Sequence, residues 1–309
     1  MIVVFGSINL DLVARTERLP HPGETITGLS FAMLPGGKGA NQAIAARRAG
    51  ADVAMAGAVG TDVFAAAALA GLIAAGVDIA WVQRDPGPTG VALIHVEASG
   101  QNAITVVPGA NAMVLAANVP DAALGPGTTV ALQLEVPVEA VRDFAVRARR
   151  CGARVVLNAA PAQALPPRLL AALDVLIVNA IEAAAIAVAL DLPHAPEAFA
   201  AAMHRRHGCA VVVTLGRRGV VGVVDGNLIT APAPTVDVVD TTGAGDAFVG
   251  ALLAALDRHA DWPRAIAEGV AAGSLACTVA GAQPGLPAAA AIRRLATEVA
   301  PTLIAQPLD

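Results

Sequence analysis

The sequence predicts an α/β protein of three layers, α/β/α, with a mostly parallel central sheet and a small β-sheet lid. Short apolar runs rich in Val and Ile alternate with longer alanine-rich runs over most of the 309 residues. That is the pattern of βα units stacked into a parallel sheet with helices on both faces. Two segments, 12–33 and 89–107, break this rhythm and read as antiparallel strand pairs, with turn signals at Pro20-His21-Pro22-Gly23 and Ser99-Gly100-Gln101-Asn102. They are expected to form a flap over the ligand edge of the sheet. No linker-like tract divides the chain, so residues 1–309 read as one domain with the two lid segments inserted.

In order along the chain, residues 2–8 read as the first strand, and the opening Met1-Ile2-Val3-Val4-Phe5 lacks the basic residues of a signal peptide. A helix is expected at 38–49, a strand at 53–59 and a helix at 62–75. The uncharged run 63–77, bounded by Asp62 and Asp78, falls short of the about 20 residues a membrane span needs. It reads as a buried helix although the mean hydropathy is +0.63. Strands at 128–132 and 154–157 flank a helix at 138–150. Strands at 175–178, 210–214 and 219–224 follow, with helices at 181–190 and 196–207 and three helical segments after Ala244. In such a sheet ligands bind at the carboxyl ends of the strands.

Composition narrows the function. Hydrophobic residues make up 56% of the chain and charged residues 15%, enough for a large core. Aromatics are 3%, Tyr is absent and the net charge is −5, which argues against a nucleic-acid partner. Cys151, Cys209 and Cys277 are far apart with no C-x-x-C, and His204 and His207 have no evident third ligand, so neither a zinc site nor a disulfide is expected. The chain is expected in the cytoplasm.

The most informative stretch is Asp240-Thr241-Thr242-Gly243-Ala244-Gly245-Asp246-Ala247-Phe248, which runs into an apolar helical pattern. Glycines at a helix start free backbone N–H groups to face an anion. A fixed carboxylate among those donors suits a transient phosphoryl group better than a resident phosphate, with Asp246 accepting a proton from an attacking hydroxyl. Taken alone, the same residues also suit a tight turn and a first-turn acid complementing the helix dipole. A second loop, Pro35-Gly36-Gly37-Lys38-Gly39-Ala40-Asn41-Gln42-Ala43, opens another helix. It lacks Walker A spacing, and Phe248 breaks a G-x-G-x-x-G reading of the first loop, so a nicotinamide oxidoreductase ranks last. Gly6-Ser7-Ile8-Asn9-Leu10-Asp11 ends the first strand with polar side chains able to fork around sugar hydroxyls, or simply to make a turn.

With these three segments the chain resembles the ribokinase-like sugar kinases of the phosphofructokinase-B family over nearly its whole length. The two glycine-rich loops match the two signatures of that family in order and separation. Gly6–Asp11, Gln133-Leu134-Glu135, Pro108-Gly109-Ala110-Asn111 and Gly281-Ala282-Gln283-Pro284 bring it closest to the ribose-phosphorylating branch. The resemblance implies ATP-dependent phosphorylation of D-ribose at its 5-hydroxyl, with Asp246 as catalytic base and the N–H groups of Gly243, Ala244 and Gly245 as anion hole. Asn9, Asp11, Gly37, Lys38, Asn41 and Glu135 would hold the sugar. Asn179 and Glu182 match a motif linked to magnesium and the ATP phosphates, and Thr214 and Gly216 a nucleotide loop. Asp240, Thr242, Ala276, Val279, Gly281 and Gly285 match a monovalent-cation loop, expected to hold potassium. The family also implies a homodimer through the lid. The chain departs from relatives at Ala180, at Arg217 and Gly285 where they often carry Ser, and at Val270 where Asn or His often flanks adenine. Other acceptors (deoxyribose, a ketohexose, a nucleoside) remain open, as does a non-catalytic sugar-binding regulator.

Overall fold

A computed structural model describes residues 1–308. The chain opens with β1 (Ile2–Phe5), β2 (Asn9–Thr16) and β3 (Ser30–Gly36), then α1 (Lys38–Arg48), β4 (Val53–Gly60) and α2 (Phe64–Ala75). Next come β5 (Asp78–Asp85), β6 (Gly90–Glu97), β7 (Asn102–Val107), β8 (Thr129–Leu132), α3 (Val138–Arg150), β9 (Arg154–Asn158) and α4 (Pro167–Leu170). The chain continues through β10 (Val175–Asn179), α5 (Ala180–Leu190), α6 (Pro196–His207), β11 (Ala210–Thr214), β12 (Val220–Val224) and β13 (Asn227–Ala231). It closes with α7 (Ala244–Asp257), α8 (Trp262–Ala276), α9 (Ala282–Gly285), α10 (Ala289–Val299) and β14 (Ile304–Pro307).

The large sheet has the order β14-β13-β12-β11-β10-β9-β8-β1-β4-β5. From β11 to β5 every pairing is parallel, and β12, β13 and β14 add antiparallel at one edge. Central strands are buried on both faces, as a sheet covered on two sides requires. The two-residue strand period then sorts neighbours into two cores. Ile2 and Val4 join the core under α1, α2, α7, α8 and α10, whereas Val3 and Phe5 join the core under α3, α5 and α6. Phe5 and Phe144 meet there with ring centroids 4.7 Å apart.

The two sequence-distant segments that break the βα rhythm build a separate small sheet, β3-β2-β6-β7. Each is an antiparallel pair, and β2 and β6 join them in parallel. Strand β1 ends at Phe5, short of the expected Ile8, because the chain turns there to feed β2. Strands β5, β13 and β14 escape the sequence reading. β5 is half-exposed with acids at both ends, β13 is partly exposed and β14 is fully exposed, so none carries a strong apolar signal. Among the described residues no helix is long and apolar enough to cross a membrane.

Candidate active site

The polar residues of the sequence motifs converge at the carboxyl edge of the large sheet. Ser7 and Asn9 follow β1, Gln133 and Glu135 follow β8, Asn158 and Asn179 end β9 and β10, and Thr214 ends β11. Asp246 sits in the first turn of α7, where the positive end of the helix dipole favours a carboxylate. It is 6% exposed. Its Oδ2 accepts from Asn41 Nδ2 and its Oδ1 from Gln42 Nε2, both at 3.0 Å. Gly243 caps the helix at φ 77°, the left-handed conformation glycine adopts without strain. Ala244 N–H donates to Thr241 O at 3.2 Å, while no described residue accepts from the N–H groups of Gly243 and Gly245.

The α1 loop closes on the same carboxylate. Gly37 has φ 91°, and a Cβ there would lie 2.8 Å from Asn9 N and 3.0 Å from Ser7 O. The loop is thereby pressed onto the end of β1 and delivers Lys38 into the site. Glu135 Oε2 accepts from Ser7 Oγ at 2.6 Å and from Lys38 N at 2.9 Å. The Asp246 carboxylate, with Glu135 and Glu182 behind it, holds the Lys38 ammonium above its ordinary range despite burial that opposes the charge. Burial, reinforced by the charge of Glu135, pushes the Asp11 carboxyl up to about 6. Asn9 is buried with its Oδ1 accepting from Asn111 Nδ2 at 2.7 Å. Asn9, Asp11, Gly37, Lys38, Asn41 and Glu135 therefore cluster at the sheet edge beside Asp246.

A cleft of about 520 Å³ adjoins it, lined by Thr214, Gly216, Phe248, Val270, Gly273 and Cys277 among others. Ala244 and Gly245, the two residues before Asp246, also line it. Asn179 and Glu182 form a reciprocal cap on α5: Asn179 Oδ1 accepts from Glu182 N at 2.9 Å and Glu182 Oε2 from Asn179 N at 2.8 Å. Burial, against bonds from Asn179 and the charge of Lys38, raises the Glu182 carboxyl. The charges of Lys38 and Asp246 both bear on the Glu182 carboxyl. One carboxylate beside an amide suits a magnesium ion that arrives on nucleotide phosphates and keeps much of its water.

Asp240, Thr242, Ala276, Val279, Gly281 and Gly285 also come together. Asp240 Oδ1 accepts from Thr242 N at 2.9 Å and Thr242 Oγ1 at 2.7 Å, and its Oδ2 from Gly281 N at 2.8 Å. Burial opposes the charge, but these bonds outweigh it and hold Asp240 below the ordinary carboxylate range. The carbonyl oxygens of Ala276 and Val279 lie 2.9 and 3.4 Å from the point a Cβ on Gly285 would occupy. Glycine thus leaves open a cradle of oxygens that suits a hard cation.

Several residues of this site had no assigned role from sequence. Ser7, Asn111, Gln133 and Gln283 stood in motif segments, and Gln42 and Asn158 form a buried amide pair, with Gln42 Nε2 donating to Asn158 Oδ1 at 2.9 Å. Their signal was a hydroxyl and uncharged amides among apolar residues, which spacing alone does not separate from turn formers.

The fold and this site define a sugar-phosphorylating α/β enzyme. Residues 1–289 match the model of the pfkB family carbohydrate kinases, and the chain belongs to that family. It is 34% identical to the ribokinase of Haemophilus influenzae over 291 residues, covering 93% of this chain and 95% of that relative. The ribokinase structure of Thermotoga maritima matches with TM-score 0.88 at 31% identity, covering 96% of this chain and 99% of the other. The ribokinase of Arabidopsis thaliana, solved with ribose and ATP, matches with TM-score 0.85 at 30% identity over 96% of this chain and 98% of the other. The three-layer fold expected from the sequence is the one these relatives share.

Proposed function

We propose that this kinase transfers the terminal phosphoryl group of ATP to the 5-hydroxyl of D-ribose, with Asp246 as general base. The observation that carries the reading is a buried carboxylate at a glycine-capped helix N-terminus, bonded to Asn41 on one side and next in sequence to Gly245 of the cleft on the other. The acceptor oxygen forms its bond to the γ-phosphorus as the bond to the bridging oxygen breaks. The electron pair leaves with ADP, and the hydroxyl proton passes to Asp246 and then to water. An alcohol is far too weak an acid to be ionised beforehand by a carboxylate, so the proton moves as the new bond forms. The N–H groups of Gly243 and Gly245 and the Lys38 ammonium face the charge that develops on the transferring group. Ala244 N–H joins them if its turn to Thr241 opens. Thr214 and Gly216 hold the nucleotide.

Asn179 and Glu182 are the residues that would receive magnesium, which supplies charge neutralisation on the phosphates. Asp240, Thr242, Ala276, Val279, Gly281 and Gly285 would hold potassium, which fixes the loop leading to Gly243. The small sheet acts as a lid that excludes water, a competing acceptor. Asp11 lies on one of its faces. By register Phe31, Met33 and Leu93 lie on the other, and all three are exposed. That apolar face suits a homodimer, and a monomer by sedimentation at micromolar concentration would count against it. The reading places the enzyme in the cytoplasm, where ATP is supplied.

The functional test is a coupled ADP-release assay across pentoses, hexoses and nucleosides. Ribose is expected to give the highest kcat/KM. Comparable turnover of fructose or adenosine with none of ribose would move the assignment to another acceptor, and no ribose-dependent ADP release would leave a sugar-binding regulator.

A further inference from the structure

Asp246 is held by two amides, and each of these is itself held by a further amide. Gln42 donates through Nε2 to Asp246 Oδ1 and to Asn158 Oδ1, so its Oε1 must point the other way, where it accepts from Gln133 Nε2 at 2.7 Å. Asn158 is fixed in turn by donating through Nδ2 to Ile177 O at 3.2 Å. On the second side Asn41 donates to Asp246 Oδ2, and its Oδ1 accepts from Gln283 Nε2 at 3.2 Å. Gln42 and Gln133 are 0% exposed and Gln283 is 4% exposed.

The outer glutamines are lodged alike. Gln133 Oε1 and Gln283 Oε1 are both buried without a hydrogen-bond partner. Each lies 1.9 Å from where a Cβ would stand on a glycine, Gly6 for Gln133 and Gly71 of α2 for Gln283. A buried acceptor without a partner is unfavourable by itself. In both arms it accompanies the same arrangement: an amide whose NH₂ end is committed inward, toward the acceptor oxygen of the amide that touches Asp246.

We propose that Gln133 and Gln283 are positioning residues for the general base. They fix which end of Gln42 and Asn41 faces Asp246, so that both carboxylate oxygens meet donors and the carboxylate keeps one orientation toward the acceptor hydroxyl. Were either inner amide to turn over, its oxygen would face a carboxylate oxygen, acceptor against acceptor. The inference rests on the reading of Asp246 as base and extends it to residues outside both ligand pockets.

Gln133→Met and Gln133→Glu test it. The Met variant keeps the length and removes the donor. Its kcat is expected to fall about tenfold, within the range that small misplacement of a reacting group produces, with KM for ribose and ATP unchanged. The Glu variant separates orientation from packing. An ionised carboxylate cannot donate to Gln42 Oε1 and attracts its NH₂ end instead, whereas a protonated carboxyl donates as the native amide does. The charged groups around this path are Asp246 and Lys38 beyond Gln42, Glu135 two residues along with Asp11 coupled to it, and Glu182; the ratio to wild type cancels their own titration. The kcat of Gln133→Glu relative to wild type is therefore expected to match the Met variant near about pH 8 and recover toward about pH 5.5, as burial holds the introduced carboxyl above its usual range. A ratio flat in pH, or wild-type kcat from Gln133→Met, overturns the proposal.

Gly71→Ala serves if substitution at Gln133 prevents folding. The new methyl displaces Gln283 from a helix that touches neither ligand. Alanine's helix preference offsets only part of the packing cost, so kcat is expected to fall several-fold with a modest loss of Tm, and wild-type kcat overturns the Gln283 arm. Asp246→Asn is measured in the same series. An inactive Asp246→Asn beside silent glutamine variants removes the relay and leaves the base assignment standing, whereas an active one removes the base assignment itself.

Discussion

Replacing Asp11 by Asn should make the sugar-free protein more stable at neutral pH while weakening its hold on sugar. Asp11 lies against Gly36, where a Cβ would come within 2.5 Å of Oδ2, and its carboxyl is pushed from 3.8 up to about 6 by burial first and by Glu135 second. Between those two values the unfolded chain has released the proton and the folded chain has kept it. Stability therefore falls as pH rises from about 4 to about 6, and the full penalty remains above that window. A rise from 3.8 to about 6, at 1.36 kcal/mol per pKa unit, corresponds to about 3 kcal/mol, which partial solvent access trims to about 1–2 kcal/mol. Urea unfolding of wild type and Asp11→Asn between about pH 4.5 and about pH 7.5 measures it directly. The expected difference is small at the acid end and grows to about 1–2 kcal/mol in favour of the variant at the neutral end. The KM for ribose should rise about 10- to 100-fold, the loss of a charge-assisted hydrogen bond. A stability difference flat in pH, or a variant less stable at neutral pH, would mean that burial does not hold the proton on Asp11.

Gly37→Ala places a methyl within 3.0 Å of backbone at Asn9 and Ser7 and demands φ 91° of an alanine. Thermal unfolding should show a loss of about 1–3 kcal/mol, with KM for sugar raised because Lys38 and Asn41 shift with the loop. Gly285→Val fills the cradle beside Ala276 O and Val279 O. Activity titrated with potassium chloride should lose its response to the cation, while sugar binding by calorimetry stays within about twofold of wild type, because additivity holds for separated sites.

Legibility followed the strength of the apolar signal. Helices at Val138–Arg150 and Pro196–His207 were read to the residue, since Pro137 and Pro196 mark their starts and Gly152 and Gly208 stand just beyond their ends. The edge strands β5 and β14, and β13 beside β14, were missed because half-exposed strands need fewer apolar residues. The parallel joining of β2 to β6 could not be read at all, because it unites segments some eighty residues apart through hydrogen bonds that leave no local pattern. Within the site, charged residues and glycines announced themselves: Asp246, Lys38, Glu135 and Gly243 stand out from alanine-rich surroundings. Gln42, Gln133, Asn158 and Gln283 did not, because an amide's part depends on which end faces its neighbour, and that is fixed only by packing in three dimensions.

The proposed reaction turns on one buried carboxylate, Asp246, taking the proton from the acceptor as phosphoryl transfer proceeds. Turnover of Asp246→Asn, with ribose and ATP binding followed in parallel by calorimetry, tests it most directly. The expected result is kcat reduced by about 10²–10⁴-fold with both ligands still bound. Turnover close to wild type from a folded Asp246→Asn enzyme would contradict it.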